Sequence, residues 1–380
     1  MLIEKDEDGI YIGTVPELKG CYSYGDINDP LFHFYLNFFL EKQNAIVMSR
    51  FDPILASRAL WQIRIKKRPF VLSHGVNANC NMRCKFCEYW RKEPGKEPSR
   101  DEVFRLLDDA KKFGIGVYNA WTTEPLLRKD LPLIMAHAKE LGMVTSMVTN
   151  GKLLYERVEE LENVDYLSVS VDGTESYKEI RKMDFGTLLK GLKKAIEVRK
   201  LQKQKNPILM NCVLTGKNLD DIETLILLAE KLGVKVSFEP VHEFPGISRE
   251  IWEEIGIRDK EKFRSTVDFI IEMKEKGYPP IINSKTYLGG MVRDEKKDYK
   301  CRASGIIINV THDGTAETCR VHQEPLGNVM KDGFEKVWKN SAQRREEIVE
   351  NCEGCLFFGY TENSLMQSFN PEVLMHYEWM

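Results

Sequence analysis

The sequence contains no apolar run long enough to span a bilayer, and it has no excess of one charge sign. Its 55 Lys and Arg residues nearly balance its 58 Asp and Glu residues, so the formal net charge is −3. This balance gives no reason to expect nucleic acid or another polyanion as a partner. The N-terminal stretch MLIEKDEDGI is too acidic for a signal or transit peptide, so we expect a cytoplasmic protein.

The composition is that of a globular chain, with 380 residues of which 42% are hydrophobic and 30% charged. In a reducing compartment, its nine cysteines suggest metal ligation or catalysis more than disulfides. Cys21 and Cys212 stand alone, and each is read as a small buried hydrophobe. The other seven form two groups: Cys80, Cys84 and Cys87, then Cys301, Cys319, Cys352 and Cys355.

From residue 69 onward, short apolar runs alternate with amphipathic segments. The runs cover residues 69–76, 116–122, 144–150, 165–172, 208–215 and 234–241. Such alternation is typical of an α/β fold with a parallel sheet and helical crossovers. Six units are too few for a closed eight-stranded barrel, so we expect a partial (β/α)6 TIM-type barrel or an open doubly wound sheet. In both folds the chemistry lies at the C-terminal ends of the strands, and CNMRCKFC (80–87) directly follows the first strand.

The segments on either side of this barrel have a different character. Residues 1–68 include two aromatic-rich stretches, LFHFYLNFFLEK (31–42) and FDPILASRALWQIRIKKR (51–68), which predict an N-terminal helical extension. We assign the barrel to residues 69–245 and a helical connection to 246–297. Residues 298–380 are predicted to form a small α+β domain that carries the second cysteine group.

The first cysteine group offers three ligands, with three and then two residues between them. A structural zinc site requires four ligands, whereas three thiolates suit a [4Fe–4S] cluster with one open iron. Zinc or chance spacing stays open as an alternative. The pattern C-x3-C-x2-C after a first strand resembles the signature of the radical S-adenosylmethionine (SAM) enzymes, and Phe86 matches an aromatic residue that the family places near the adenine.

The resemblance implies a partial barrel and a specific chemistry. The open iron would bind the amino and carboxylate groups of SAM. An electron from a donor such as ferredoxin or flavodoxin would then cleave SAM to methionine and a 5′-deoxyadenosyl radical. That radical abstracts a hydrogen atom from an unactivated carbon, and a buried barrel protects it from solvent.

The stretch after the second strand resembles the family's Gly-Gly-Glu-Pro motif, which contacts the amino group of SAM. Here it reads WTTEPLLR, which keeps Glu124 and Pro125 but has Thr122 and Thr123 in place of the glycines. Threonine restricts the backbone more than glycine does. The resemblance nevertheless implies that these residues contact SAM.

Later positions also match the family. Ser170 and Asp172, at the end of the fourth strand, resemble its ribose-side contacts, and Arg181 resembles its arginine for the SAM carboxylate. Asn218 and Glu239 lie at further positions that commonly bind SAM. Three of them also have a simpler interpretation: Asp172 begins an Asp-Gly turn, Asn218 is suited to a helix N-cap, and Arg181 fits a solvated helix face.

The tail cysteines form two pairs. An Asp313-Gly314 turn between Cys301 and Cys319 predicts a hairpin that brings these two together, while Cys352 and Cys355 form a C-x2-C hook. Four ligands permit a closed zinc site or an iron–sulfur cluster. The spacing C-x12-G-x4-C, followed by LGN (326–328) and VW (337–338), resembles the SPASM or Twitch extension of radical SAM enzymes. The resemblance implies one auxiliary [4Fe–4S] cluster that transfers electrons, with zinc as the alternative.

The substrate is indicated only by residues 31–70, where aromatic side chains precede a basic stretch. Phe38, Phe39 and Trp61 with Arg64 and Arg68 are suited to an apolar face with a basic edge that lies on an anionic membrane. RPFVLSHGVNANC (68–80) also resembles the start of radical SAM proteins that adenosylate hopanoid precursors. We therefore favour a hydrophobic isoprenoid or membrane-lipid substrate, with C–C bond formation and peripheral membrane contact.

Three other interpretations stay open. The aromatic residues before the barrel are equally suited to covering its bottom or side. A small molecule, a peptide or a protein is an alternative substrate for a radical SAM enzyme with a SPASM-like tail. The third possibility is a non-enzymatic zinc or iron–sulfur protein on an α/β scaffold.

Overall fold

The computed structural model describes residues 2–5, 11–14, 22–25, 53–92, 95–243, 247–278, 281–293, 301–352 and 354–374. The chain divides into two compact units, Met1–Ile54 and Leu55–Met380.

The described residues of the first unit form a three-stranded antiparallel sheet. Its strands are β1 (Leu2–Lys5), β2 (Tyr11–Thr14) and β3 (Tyr22–Gly25), with β2 in the centre. Asp8-Gly9 lies between β1 and β2, and this dipeptide is a hairpin signal. The prediction of an entirely helical extension over 1–68 is therefore wrong for these strands. The stretch 31–42 lies outside the described residues.

The second unit is built on one sheet that has nine strands among the described residues, six of which are parallel and lie side by side in chain order. Its parallel strands β4 to β9 coincide with the six predicted apolar runs, which confirms the α/β parallel-sheet fold. Their bounds are β4 (Val71–His74), β5 (Val117–Ala120), β6 (Val144–Thr149), β7 (Tyr166–Ser170), β8 (Leu209–Leu214) and β9 (Lys235–Pro240).

Helices connect and cover these strands. They comprise Pro53–Leu60, Arg100–Phe113, Leu131–Glu140, Leu154–Arg157, Tyr177–Arg181, Phe185–Leu201, Ile222–Leu232, Arg249–Ile255, Lys260–Glu275, Lys285–Arg293, Val329–Asp332, Phe334–Asn340, Ala342–Glu350, Phe358–Gln367 and Pro371–Leu374. Local sequence sets the ends of Arg100–Phe113. Ser99 and Glu102 form a capping box, and Gly114 ends the helix at φ 112°. Val103, Leu107 and similarly spaced apolar side chains bury one face of that helix against the sheet.

The cysteine-bearing tail adds three strands to this sheet. β10 (Ile307–Val310) pairs in parallel with β4, and β11 (Thr315–Glu317) and β12 (Pro325–Asn328) follow it as antiparallel strands. The hairpin predicted at Asp313-Gly314 is confirmed, with Gly314 at φ 86°. The tail strands thus continue the barrel sheet, and the domain boundaries at 245 and 298 stay predictions.

Both outer edges of the six-stranded core are covered. β10 pairs with β4 on one side, while Ile282 N donates to Val236 O (3.0 Å) on the side of β9. The Asn283 amide also bonds to both backbone groups of Phe238, at 2.8 and 2.9 Å. Among the described helices, none combines the length and the apolar character needed to cross a bilayer.

Candidate active site

The cysteine loop, residues 75–87, begins at the C-terminal end of β4 and is tied to the residues that follow β5. Asn77 Nδ2 donates to the Glu124 carbonyl oxygen (2.5 Å), and the Thr123 hydroxyl lies 3.0 Å from the Asn77 carbonyl oxygen. Glu124 N donates to the Asn79 carbonyl oxygen (3.1 Å). These bonds fix the two stretches to each other at the end of the sheet where chemistry is expected.

The three thiols of this loop are partly or fully buried and have polar neighbours. Asn150 Nδ2 lies 3.7 Å from Cys80 Sγ, and Arg181 Nη1 lies 3.8 Å from Cys84 Sγ. Burial raises the pKa of all three thiols, and that of Cys87 to about 12. A buried thiol ionises readily when a cation or a metal stabilises the thiolate, so this environment fits iron ligation.

Iron–sulfur ligation differs from binding a single ion. No three His, Cys, Asp or Glu side chains in the described part of the chain converge on one ion position. In a cubane, each thiolate binds a different iron atom.

The cysteines open onto a cavity of about 1020 Å³, a volume that includes its open mouth. Its lining combines the cysteine loop, the C-terminal ends of the barrel strands and two residues of the tail. The lining residues are Cys80, Cys84, Phe86, Cys87, Glu88, Tyr89, Trp121, Thr122, Thr123, Val148, Thr149, Asn150, Ser170, Arg181, Asn211, Val213, Glu239, Pro240, Val241, His242, Arg320 and Phe357.

Six of the residues predicted to contact SAM are in this lining: Phe86, Thr122, Thr123, Ser170, Arg181 and Glu239. Arg181 is buried, with its guanidinium carbon 5.0 Å from the centre of the Phe86 ring. The interpretation of Arg181 as a solvated helix residue is therefore wrong. Burial raises the pKa of Glu239 to about 7, and its carboxylate accepts a hydrogen bond from Phe358 N (3.0 Å).

Glu124 lies behind the cavity wall instead of on it. Its carboxylate accepts hydrogen bonds from Leu126 N (3.0 Å), Thr149 Oγ1 (2.7 Å) and Asn150 N (2.7 Å). Burial raises its pKa to about 7 despite these donors. In this structure Glu124 holds the ends of β5 and β6 together, and it thereby fixes Asn150 beside the Cys80 thiol.

Asp172 and Asn218 also lie outside the cavity lining and brace the strand ends. One Asp172 carboxylate oxygen accepts from Arg181 Nε, and the other accepts from Val213 N (2.9 Å). Asn218 Nδ2 donates to the carbonyl oxygens of Asp172 (2.6 Å) and Val213 (2.8 Å). Asn218 occupies the N-cap position of the short helix Leu219–Asp221, but its side chain makes no capping hydrogen bond there. The Asp172 carboxylate orients Arg181 and raises the pKa of its guanidinium.

Thr122 and Thr123 have the left-handed backbone conformation that glycine adopts without strain. Their φ angles are 70° and 52°. A β-branched residue is rare in this region, and each such residue costs about 1–2 kcal/mol. A Cβ atom on Gly75 would lie 2.5 Å from the Thr122 hydroxyl, so the glycine at 75 provides the space that this threonine occupies.

The tail cysteines lie in one region. Cys301, Cys319 and Cys355 pack against a small apolar cluster that includes Tyr360. His322 links Cys319 to Cys352. Its backbone N lies 3.3 Å from Cys319 Sγ, and its Nε2 lies 3.3 Å from Cys352 Sγ. Gly354 N also donates to Cys352 Sγ (3.3 Å). Hydrogen bonds of this kind to sulfur are typical of iron–sulfur sites, where they adjust the potential.

Sequence reasoning missed several residues that line the cavity. Asn150 had a signal, because it ends the third predicted strand in the motif VTNG. Arg320 had a weaker one, since it directly follows Cys319. Trp121, His242 and Phe357 had none: Phe357 stacks on His242 at 5.5 Å and lies 5.7 Å from Trp121, contacts that only the folded chain creates.

The cysteine loop and the strands after it match a known family model. Residues 76–229 match the model described as "Radical SAM superfamily". The match includes all three cysteines of the first group and ends before the tail.

Two curated relatives extend beyond this segment. Fe-coproporphyrin III synthase of Methanosarcina barkeri is 30% identical over 63% of this chain and 61% of its own length. A probable GTP 3′,8-cyclase of Saccharolobus islandicus is 26% identical over 66% of this chain and 82% of its own length. The alignment thus spans less than two thirds of the synthase.

Solved structures share the fold across most of the chain. Streptococcus suis SuiB bound to S-adenosylmethionine superposes with a TM-score of 0.60 at 17% identity, covering 83% of this chain and 78% of SuiB. Native anSMEcpe with bound AdoMet and a peptide gives a TM-score of 0.55 at 15% identity, covering 82% and 99% of the two chains. Together, the matched model and the relatives show that this chain contains a radical SAM domain over residues 76–229.

Proposed function

We propose that this enzyme cleaves SAM reductively within the cavity and uses the resulting radical on a substrate held between the barrel and the tail. The radical SAM domain implies SAM and a [4Fe–4S] cluster as cofactors. Cys80, Cys84 and Cys87 would hold that cluster. When bound, it would supply the electron for cleavage of SAM to methionine and a 5′-deoxyadenosyl radical. The observation that carries the proposal is that these three thiols open onto one cavity with the residues of the SAM motifs.

The chain's own residues prepare this site in three ways. Arg181, oriented by Asp172, places a positive charge beside the Cys84 sulfur. Asn150 offers its amide to the Cys80 sulfur, because Glu124 fixes its backbone. Arg320 and Phe357 of the tail form part of the cavity wall, which would reduce the access of water to a radical.

The tail cysteines fit an auxiliary [4Fe–4S] cluster with four protein ligands, and zinc is the alternative. Backbone N–H groups aimed at the sulfurs of Cys319 and Cys352 support the cluster, because they stabilise thiolate charge. With every iron ligated by protein, its role would be to accept or deliver an electron. We retain the proposed ranges of 69–245 for the barrel and 298–380 for the tail.

A lipid substrate, which the sequence favoured, has limited support from the described residues. Trp61 is 57% exposed, as a membrane contact would require. Arg64 and Arg68, however, contact the tail: Arg64 bonds to the Gln367 carbonyl oxygen and Arg68 to Glu335. These two arginines are therefore engaged within the chain instead of forming a free basic edge. None of the proteins compared above is named for a lipid substrate.

A small molecule or a peptide is therefore the substrate class we now favour. Small molecules are indicated by the two curated relatives, which are named for a porphyrin and for GTP. A peptide stays the second candidate, because a further SuiB structure is described as bound to precursor peptide SuiA. The experiment that separates these two substrate classes adds peptides encoded beside the gene and measures whether their mass changes.

The first test measures iron, sulfide, zinc and 5′-deoxyadenosine in anaerobically reconstituted protein. Wild type should bind about eight irons and the Cys80/Cys84/Cys87→Ala variant about four, with product formation lost. Cys212→Ala is the matched control and should retain both the iron content and the product, because Cys212 lies outside the cavity lining. Normal product formation by Cys84→Ala would refute the proposal, and four irons with one zinc would refute an auxiliary cluster.

A further inference from the structure

Arg320 is a buried cation with unused hydrogen-bond donors. Its side chain is only 2% exposed, and it lines the active-site cavity although it belongs to the tail. Nη1 donates to Glu317 Oε2 (3.1 Å), and the backbone N donates to the Tyr360 hydroxyl (2.9 Å). Nε and Nη2 have no hydrogen-bond partner among the described residues. Burying charged donors without acceptors is unfavourable, so these two atoms indicate a ligand that supplies the acceptors.

The two unused donors lie on the same edge of the guanidinium. Nε–H and one N–H of Nη2 point in parallel from that edge, whereas Nη1 faces another direction. This fork matches the two oxygens of a carboxylate, which it binds with two hydrogen bonds at once. Glu317 holds Nη1 and thereby fixes the guanidinium, while Nε and Nη2 stay buried without an acceptor among the described residues.

Aromatic side chains give this edge a defined environment. The Arg320 guanidinium carbon lies 5.3 Å from the centre of the Trp121 ring, and the Phe357 ring lies 5.7 Å from that of Trp121. The Tyr89 hydroxyl is also buried, lines the same cavity and has no partner among the described residues.

An acidic group on the same wall is already engaged. Glu88 accepts a hydrogen bond from Gln323 Nε2 and lies 3.9 Å from Lys92 Nζ. Its carboxylate is therefore partly compensated and does not take the place of the missing acceptor on Arg320.

We propose that the Nε–Nη2 edge of Arg320 binds a carboxylate of the substrate, with the Tyr89 hydroxyl as a further donor and the Trp121 and Phe357 rings as an apolar contact. The substrate would thus carry a carboxylate next to an aromatic or other apolar group. That the bound carboxylate belongs to the substrate rests on the proposed function. Binding of a carboxylate at Arg320 can be tested separately. SAM itself carries a carboxylate, so the experiment must distinguish the two sources.

The first experiment uses benzoate and its neutral counterpart benzamide as probes on anaerobically reconstituted protein, with ligand-observed NMR titration. Wild type should bind benzoate at least tenfold more tightly than benzamide. Only the carboxylate has two charged oxygens that can accept the hydrogen bonds of Nε and Nη2 together. Arg320→Gln should lose this preference while benzamide binding is unchanged. Arg344→Gln, an exposed arginine of the same tail paired with Glu324, is the matched control and should retain it. Equal binding of both probes to wild type, or a retained preference in Arg320→Gln, would overturn the proposal.

The second experiment measures the Kd of SAM and the rate of 5′-deoxyadenosine formation in the same proteins. SAM affinity should be unchanged within twofold in Arg320→Gln, and benzoate should not compete with SAM. A tenfold loss of SAM affinity would assign the edge to the carboxylate of SAM and overturn the proposal. Failure of wild type to cleave SAM would refute the proposed function alone, since benzoate selectivity is measured independently.

A stability measurement separates ligand binding from a structural role. Arg320→Met with Glu317→Gln removes the buried charge together with its partner. If the arginine serves a ligand, this double variant should melt at or above the wild-type temperature, because unsatisfied buried donors are removed. A lower melting temperature together with unchanged benzoate selectivity would identify Arg320 as structural and overturn the proposal.

Discussion

The Thr122 side chain occupies the space that a side chain at residue 75 would need. This contact provides a test of the active-site geometry. Thr122 and Thr123 have positive φ angles of 70° and 52°, in place of the glycines usual at these positions in the family. The Thr122 hydroxyl lies only 2.5 Å from the position of a Cβ on residue 75. Gly75 is not in the left-handed region, so an added methyl group meets a steric obstacle and not backbone strain.

The expected cost of Gly75→Ala follows from its neighbours. After the Thr122 hydroxyl, the next atoms are His312 N at 3.5 Å and Thr311 Cα at 3.7 Å, which are ordinary contacts. The variant must therefore displace one stiff, β-branched side chain, and such overpacking costs about 1–3 kcal/mol. For a unit of about 330 residues, each kcal/mol lowers the melting temperature by about 1.5 °C. We expect a decrease of about 1.5–4.5 °C.

The same reasoning predicts a rescue. Thr122→Gly removes the obstructing hydroxyl and the left-handed strain of about 1–2 kcal/mol, but it adds chain entropy to the unfolded state and loses a buried methyl group. These terms nearly cancel, so Thr122→Gly alone should be close to neutral. In its background, Gly75→Ala should cost almost nothing, which gives a coupling energy of about 1–3 kcal/mol.

Thermal melts of the four proteins, reconstituted anaerobically, measure this coupling. Gly290→Ala is the matched control: no atom lies within 4 Å of its added Cβ, and the residue belongs to the helix Lys285–Arg293. It should be neutral or slightly stabilising. Additive changes in melting temperature for Gly75→Ala and Thr122→Gly would refute the proposed contact between residue 75 and the Thr122 hydroxyl. An unchanged melting temperature of Gly75→Ala would refute it as well.

Three further predictions concern charge and metal. Arg181→Gln should lower the free energy of unfolding by about 3–5 kcal/mol in urea titrations, because it leaves Asp172 buried without its partner, and adding Asp172→Asn should recover part of the loss. Burial raises the pKa of Glu362 to about 7, so the folded state holds a proton that the unfolded state releases near its ordinary pKa of 4.5. The free energy of unfolding should therefore fall between about pH 4.5 and 7, and Glu362→Gln should reduce that slope by up to about 1.4 kcal/mol per pH unit in urea titrations at pH 5, 6 and 7. Cys352→Ala should lower the iron content from about eight to about four per chain, and an unchanged value would contradict its role as a ligand.

The sequence predicted those features that depend on neighbouring residues. The spacing of Cys80, Cys84 and Cys87 and the six apolar runs are local patterns, and the runs reappear as β4 to β9. The Asp313-Gly314 turn likewise predicted the hairpin of the tail. The strands in residues 2–25 were not predicted, because each is only four residues long and the Asp-Gly dipeptide between β1 and β2 is their main local signal.

Features that depend on distant contacts were not predictable from spacing. Glu124 occupies its motif position, but its carboxylate meets Thr149 and Asn150, which the sequence places on the next strand unit. Its location behind the wall results from packing between two loops. Arg320 follows a cysteine of the tail, and no local pattern indicates that its side chain enters the cavity of the barrel.

The tail packs against both outer strands of the open barrel and contributes to the wall of its cavity. A sheet of six strands leaves a gap between its first and last strands, β4 and β9, and the tail contacts both. Its strand β10 pairs with β4, directly before the cysteine loop. At the other side, the backbone N of Phe358 donates to Glu239 at the end of β9 (3.0 Å), and Phe357 stacks on His242. The tail thus contributes Arg320 and Phe357 to a cavity wall that is otherwise built from the cysteine loop and the strand ends of the barrel. Under the proposals made above, the barrel would supply the cluster ligands and the SAM contacts, and Arg320 of the tail would bind the substrate.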